Sequence, residues 1–198
     1  MLGNTANFIS MVNSIRDSEI RLIFKKITKR NANTAIPAIN DLINMIPNLD
    51  YDTTFIEIVG HCCMGFDYLF YDPDSSVRVL ALEMIGCIIK RLQKSIVDYL
   101  SLIFPTLYLY VNDDNENVRD KAKGILDEMF QSNEKKKIFF AKLQSDICDK
   151  IQNVLCDLPG PESASINNEL KLTWGRITSA CLLLLSLWSY WFLLLPKL

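Results

Sequence analysis

His61-Cys62-Cys63 is the only cluster in this sequence whose residue types could ligate a metal ion. Consecutive residues on a helix point in different directions, so these three cannot converge on one ion. No second Cys/His pair completes a tetrahedron, and there is no Cys-x-x-Cys. A zinc site is therefore disfavoured. Asp72 with Arg78, and Asp113 with Arg119, have the residue types of an acid–base pair. Such chemistry needs a second base or a histidine within reach, and the single histidine lies in neither segment. No glycine-rich phosphate loop and no nucleophile–base motif occurs. No catalytic or metal-binding residues and no cofactor are expected in this chain.

The elements that position these residues explain them better. The phrase Asp72-Pro73-Asp74-Ser75-Ser76-Val77-Arg78 returns as Asp113-Asp114-Asn115-Glu116-Asn117-Val118-Arg119. Asp72 and Asp113, Val77 and Val118, Arg78 and Arg119, and Ala81 and Ala122 all lie 41 residues apart. A period near 41, with an acidic turn before a Val-Arg helix start, is the mark of HEAT-type stacked helical hairpins. A single hairpin cannot bury its apolar face alone, so neighbours must stack. Asp72 and Asp113 are expected to cap helix starts. Arg78 and Arg119 are expected to reach the aspartate of an adjacent repeat, forming a structural ladder.

Hydrophobic spacing fills in the remaining elements. Residues 18–29 read as a helix with Ile20, Ile23, Phe24 and Ile27 on one stripe, and residues 7–16 as an earlier turn of helix or a separate short one. Thr34 is placed as the cap of the next helix, with Pro37 in its first turn and Pro47 at its end. Asp52 caps a helix running to about Phe70, and Asp72 starts one with a wide apolar face from Val77 to Leu92. Ser95 is placed as the cap of a helix holding Pro105, and Asp113 or Asp114 as the cap of the next. A single helix is expected over about 135–155. Nothing alternates with period two for long enough to argue a strand. The fold class is all-α: a HEAT/armadillo-like α-solenoid forming one domain over 1–198. Its core repeats span about 18–157, followed by a loop over 158–167 and an apolar final helix over 168–195.

The bulk numbers agree with a scaffold. A chain of 198 residues with 49% hydrophobic content can bury a sizeable core. Its net charge is −2, so nucleic-acid binding would have to come from local patches. The N-terminal residues show no basic start and no long apolar run, hence no secretory signal. Cys62, Cys63, Cys87, Cys148, Cys156 and Cys181 fall mostly within apolar helical patterns, as reduced thiols of the cytosol do.

One segment carries a family likeness. Lys29-Arg30-Asn31-Ala32-Asn33-Thr34-Ala35-Ile36-Pro37-Ala38-Ile39-Asn40-Asp41-Leu42 resembles the opening motif of the listerin family, RING-type E3 ubiquitin ligases of ribosome-associated quality control. That motif is roughly Lys-Arg-Asp-x-x-Thr-Lys-x-Lys-Ala-Leu-x-Glu-Leu. The later landmarks agree in order: Asp72 with Val77-Arg78, Pro105, Asp113 with Val118, Phe130, Glu134-Lys135, and the apolar run from Arg176 to Leu183. Ala35 and Pro37 stand where the family motif has lysines. The family's C-terminal RING, with its zinc ligands, is absent from these residues. The resemblance therefore implies docking rather than ubiquitin transfer. The implied partners are the large ribosomal subunit, through rRNA and ribosomal proteins, and the nuclear export mediator factor. The implied location is the cytosol, on ribosomes.

Two features bear on that reading. Lys25, Lys26, Lys29 and Arg30 lie along one side of a helix end, where they could meet rRNA phosphates or simply complement the helix dipole. Lys90, Arg91 and Lys94 repeat the ambiguity, and Lys135-Lys136-Lys137 reads as a solvated helix start. Residues 177–195 form a 19-residue stretch without charge, long enough for a membrane span. Its internal Trp188, Tyr190 and Trp191, and its serines, fit an inner solenoid helix better. The alternatives to a listerin-like docking domain are a generic HEAT adaptor for another protein and a tail-anchored membrane protein.

Overall fold

The computed structural model describes residues 2–29, 31–130, 132–156, 173 and 175–183. All regular structure among these residues is helical. The α-helices are α1 (Leu2–Ser14), α2 (Ser18–Ile27), α3 (Ala32–Met45), α4 (Thr53–Phe70) and α5 (Ser75–Leu92). They continue as α6 (Leu100–Tyr110), α7 (Glu116–Met129), α8 (Asn133–Lys142) and α9 (Gln144–Cys156). Short 3-10 stretches, Ile46–Asn48 and Gln93–Tyr99, follow α3 and α5, and residues 175–183 are helical. The expected loop over 158–167 lies outside the described residues.

Helices α2 and α3, α4 and α5, and α6 and α7 pack as hairpins. The hairpins stack so that α3, α5 and α7 lie side by side in one layer, and α1, α4, α6 and α9 in the other. This is the all-α solenoid that the repeat predicts. Helix α5 packs on α3, α4 and α7 at once, which accounts for its wide apolar face: Val77, Ala81, Leu82, Met84, Ile85 and Ile88 are all buried. Helix α1 crosses α4 at Gly65, where a Cβ would lie 2.8 Å from the Phe8 ring. The missing side chain is what lets α1 approach so closely.

Two of the expected caps fall two residues late, and a third falls early. Asp74 caps α5, accepting from the Ser76 N–H at 2.8 Å, and Asn115 caps α7, accepting from the Val118 N–H at 3.3 Å. Asp72 and Asp113 instead close the preceding turns. Their carboxylates accept from the N–H two residues on, in Asp74 at 2.9 Å and Asn115 at 3.0 Å. Asn31, not Thr34, caps α3 through the Asn33 N–H, and the Thr34 hydroxyl donates back to the Asn31 carbonyl. Pro37 thus sits in the second turn of α3, on its exposed side. Asp52 caps α4 as expected. Each such cap contributes about 1 kcal/mol.

Two further expectations give way to tertiary packing. Ser95 caps nothing: Gln93, at φ 49°, ends α5, a 3-10 stretch follows, and α6 begins at Leu100. The single helix expected over 135–155 breaks at Leu143. Its apolar positions 139, 143, 147 and 151 recur every four residues, a spacing that drifts around a helix of 3.6 residues per turn. The break restores both halves to the core. Phe139 and Phe140 of α8 meet Phe104 edge-on, each at 5.1 Å, while Ile147, Ile151 and Val154 of α9 are buried.

Candidate functional site

The repeated phrase builds one edge of the stack, at the turns inside successive hairpins. Arg78 Nη1 donates to the carbonyls of Asp72 (3.0 Å) and Pro73 (2.9 Å). Its Nε and Nη2 donate to the two carboxylate oxygens of Asp113 in the next hairpin, at 3.0 and 2.8 Å, and Nη2 also reaches Asp114 at 3.0 Å. Arg119 repeats the first half of this pattern, donating to the carbonyls of Asp113 (2.9 Å) and Asp114 (2.8 Å). The structure therefore brings Arg78 and Asp113 together across hairpins, while each arginine meets the preceding aspartate of its own turn through that residue's carbonyl.

A third charge enters from far along the sequence. Arg176 Nη1 donates to Asp113 at 2.8 Å and Nη2 donates to the Phe70 carbonyl at 2.8 Å, with the guanidinium 5.1 Å from the Phe70 ring centre. Arg78, Asp113 and Arg176 are all buried. Burial alone would raise the Asp113 carboxyl. The hydrogen bonds from Arg78 and the charge of Arg176 overcome it and hold the group below its ordinary value. Asp114 is pushed up, first by burial and then by its neighbour Asp113. Beside them the Tyr110 hydroxyl is fully buried and has no hydrogen-bond partner among the described residues. This cluster is an anchor between elements and offers no open substrate position.

The metal-type cluster is also part of the core. His61 Nδ1 lies 2.6 Å from the Glu57 carbonyl and Nε2 lies 3.3 Å from the Met11 carbonyl, with the ring against Phe24. Cys62 and Cys63 are buried, and burial pushes the Cys63 thiol up to about 12. A thiol so raised is a poor nucleophile and a poor ligand. No group of three His, Cys, Asp or Glu side chains among the described residues could hold a metal ion.

The lysines divide by partner. Lys25 and Lys29 are exposed at the C-terminal end of α2 and Lys26 is half-buried; Arg30 lies outside the described residues. The Tyr68 hydroxyl donates to the Thr28 carbonyl at 2.9 Å, fixing this end of α2 to the end of α4 and so to the ladder edge. The second basic group is already engaged. Lys90 pairs with Glu128 at 3.3 Å, and Arg91 donates to the Leu49 carbonyl and lies 5.7 Å from the centre of the Phe55 ring. Lys136 pairs with Asp127 at 2.9 Å.

The family model for the N-terminal domain of E3 ubiquitin-protein ligase listerin matches residues 15–186. The chain belongs to the listerin family. It is 25% identical over 169 residues to E3 ubiquitin-protein ligase listerin of Caenorhabditis briggsae, a match covering 84% of this chain and 11% of the relative. It is 25% identical over 183 residues to the protein of that name from Saccharomyces cerevisiae, covering 89% and 12%. The Caenorhabditis elegans listerin is 23% identical over 170 residues, covering 84% and 12%. The chain thus spans 11–12% of the length of these curated relatives.

Within a listerin N-terminal domain the stacking turns acquire a specific order. Arg78 lies four residues after its cap Asp74, and Arg119 four after Asn115. Four after Asn31 stands Ala35, fully buried. The ladder-arginine position of the α2–α3 hairpin therefore holds a buried alanine. Pro37 is exposed. Arg176 is the residue that sequence reading missed as part of the ladder. It carries no copy of the phrase, and its one local signal was its place ahead of an apolar run. That run is built into the core where it is described, with Ile177, Ala180 and Cys181 buried. Among the described residues no helix is long and apolar enough to cross a membrane, and residues 184–195 lie outside them.

Proposed function

We propose that this chain is the docking end of a listerin-type ubiquitin ligase, seating it on obstructed large ribosomal subunits in the cytosol during ribosome-associated quality control. The observation that carries the reading is the match of residues 15–186 to the N-terminal domain of listerin. Ubiquitin transfer, and the zinc it requires, belong in this reading to a RING in another part of the ligase. The hairpin stack supplies a rigid frame, and the lysines of α2 supply the contact to rRNA. Lys25 and Lys29 are exposed beside the ladder edge, and no ion pair joins either to an acidic side chain among the described residues. Each lysine or arginine that meets a phosphate adds a salt-dependent increment to affinity. The nuclear export mediator factor is the protein partner at the same ribosomal site.

Co-sedimentation with purified large ribosomal subunits across a salt series tests this. Reversing Lys25, Lys26, Lys29 and Arg30 to glutamate is expected to weaken binding at least about tenfold near physiological salt and to flatten the salt dependence. Unchanged binding would remove the patch from the interface and leave a HEAT adaptor for some other protein as the better reading.

A further inference from the structure

Helices α1, α4, α6 and α9 enclose a groove of about 450 Å³. Met64 of α4 and Leu102 of α6 stand in it at 41% and 48% exposure, over the buried Pro105. Among the described residues, the charged side chains that line it are Asp67, Asp146, Asp149 and Lys150. Lys150 is ion-paired with Asp67, which also accepts from the Thr106 hydroxyl at 2.9 Å. Asp146 and Asp149, three residues apart on α9, are left to set the sign of the rim. None of the α2 lysines lines this groove.

The geometry points to a docking groove for a basic, amphipathic protein segment. One bulky apolar side chain of that segment sits between Met64 and Leu102, and its lysines or arginines sit beside Asp146 and Asp149. Charge and shape select this occupant. A nucleic-acid backbone would bring phosphates against carboxylates, and no group of acidic side chains among the described residues could hold a metal ion. Apolar side chains half-exposed in a concavity, rimmed by charge of one sign, form a central anchor with a steering rim. The inference is independent of ribosome docking, which uses other residues.

Fluorescence anisotropy with the full chain tests it. The probes are a labelled amphipathic Lys/Leu peptide and its Glu/Leu counterpart. The Lys/Leu peptide is expected to bind and the Glu/Leu peptide to fail. Asp146→Lys with Asp149→Lys is expected to weaken the Lys/Leu peptide at least about tenfold, as is Met64→Ser with Leu102→Ser. The same charge change at the exposed Asp41 and Asp50, both outside the groove, is expected to leave affinity within about twofold. Helicity by circular dichroism and ribosome co-sedimentation are expected to be unchanged in all variants. Equal loss in groove and control variants, or no binding of the Lys/Leu peptide, would overturn the proposal. So would self-association of the chain that the groove variants abolish, which would assign the groove to a second copy.

Discussion

In the turn before α5, Arg78 donates to the carbonyls of Asp72 and Pro73; in the turn before α7, Arg119 donates to the carbonyls of Asp113 and Asp114. Both turns close through an aspartate accepting from the N–H two residues on. There the likeness stops. Arg78 is 2% exposed and continues into Asp113 of the next hairpin, whereas Arg119 is half-exposed and reaches only its own turn among the described residues. The shared phrase therefore dictates the shape of a turn. What lies one hairpin further along dictates whether its arginine becomes a buried tie. The position 41 residues beyond Asp113 is Val154, inside α9, so the repeat supplies Arg119 with no third aspartate among the described residues.

The comparison is broken most forcefully at Asp113. Asp113→Ala leaves Arg78 and Arg176 buried without their shared carboxylate, at an expected cost of about 3–5 kcal/mol. Thermal unfolding should fall by roughly 10 °C or more. A drop of only a degree or two would mean that the two guanidiniums find water or new acceptors.

Next in size is the contrast between the arginines themselves. Arg78→Ala should cost about 2–4 kcal/mol in urea unfolding, and Arg119→Ala about 1 kcal/mol or less. Equal losses would show that the turn carbonyls, not the inter-hairpin carboxylate, carry the energy.

Acid sharpens the same contrast. The Asp113 carboxyl is held below its ordinary 3.8, so its contribution is present above 3.8 and is lost as pH falls through the folded-state value. Asp114, pushed up, works in the opposite sense: its contribution is present at low pH and is lost as pH rises above 3.8. The stability gap between the wild-type chain and Asp113→Asn should therefore narrow below about pH 4. A gap independent of pH would place the stabilisation outside the ionised carboxylate.

The smallest effect is expected at the edge of the cluster. Tyr110→Phe removes a buried hydroxyl that has no partner among the described residues and should leave stability unchanged or raise it by up to about 1 kcal/mol. A loss beyond 1 kcal/mol would mean that a bound water completes the site.

Much of this arrangement is legible in the sequence, and the exceptions have local causes. Helices α2, α4, α5 and α7 follow from apolar spacing and turn residues, and the ladder from the period of 41. The caps are misplaced because several Asp, Asn or Thr residues stand around each helix start, and sequence alone does not say which one closes the turn and which one caps the helix. The end of α5 at Leu92 matches its apolar run, but Ser95 is misplaced as a cap because Gln93, at positive φ, leads into a 3-10 stretch before α6. The break at Leu143 has neither glycine nor proline to announce it; aromatic packing on Phe104 decides it. Arg176 escapes because its partners lie 63 and 106 residues away, beyond any local pattern. The groove is likewise a product of four helices, and no single stretch of sequence contains it.

The two ties on Asp113 also differ in when they can form. Arg78 and Asp113 are 35 residues apart, so their pairing becomes available once the α6–α7 turn has been synthesised. Arg176 follows Asp113 by 63 residues. During synthesis, Arg78 and Asp113 are both present before the chain has supplied Arg176 as a donor. Contacts of long sequence separation form late and slow the overall reaction. Folding of this domain should therefore gain the Arg176 tie later than the Arg78 tie, joining residues 175–183 to the α6–α7 turn.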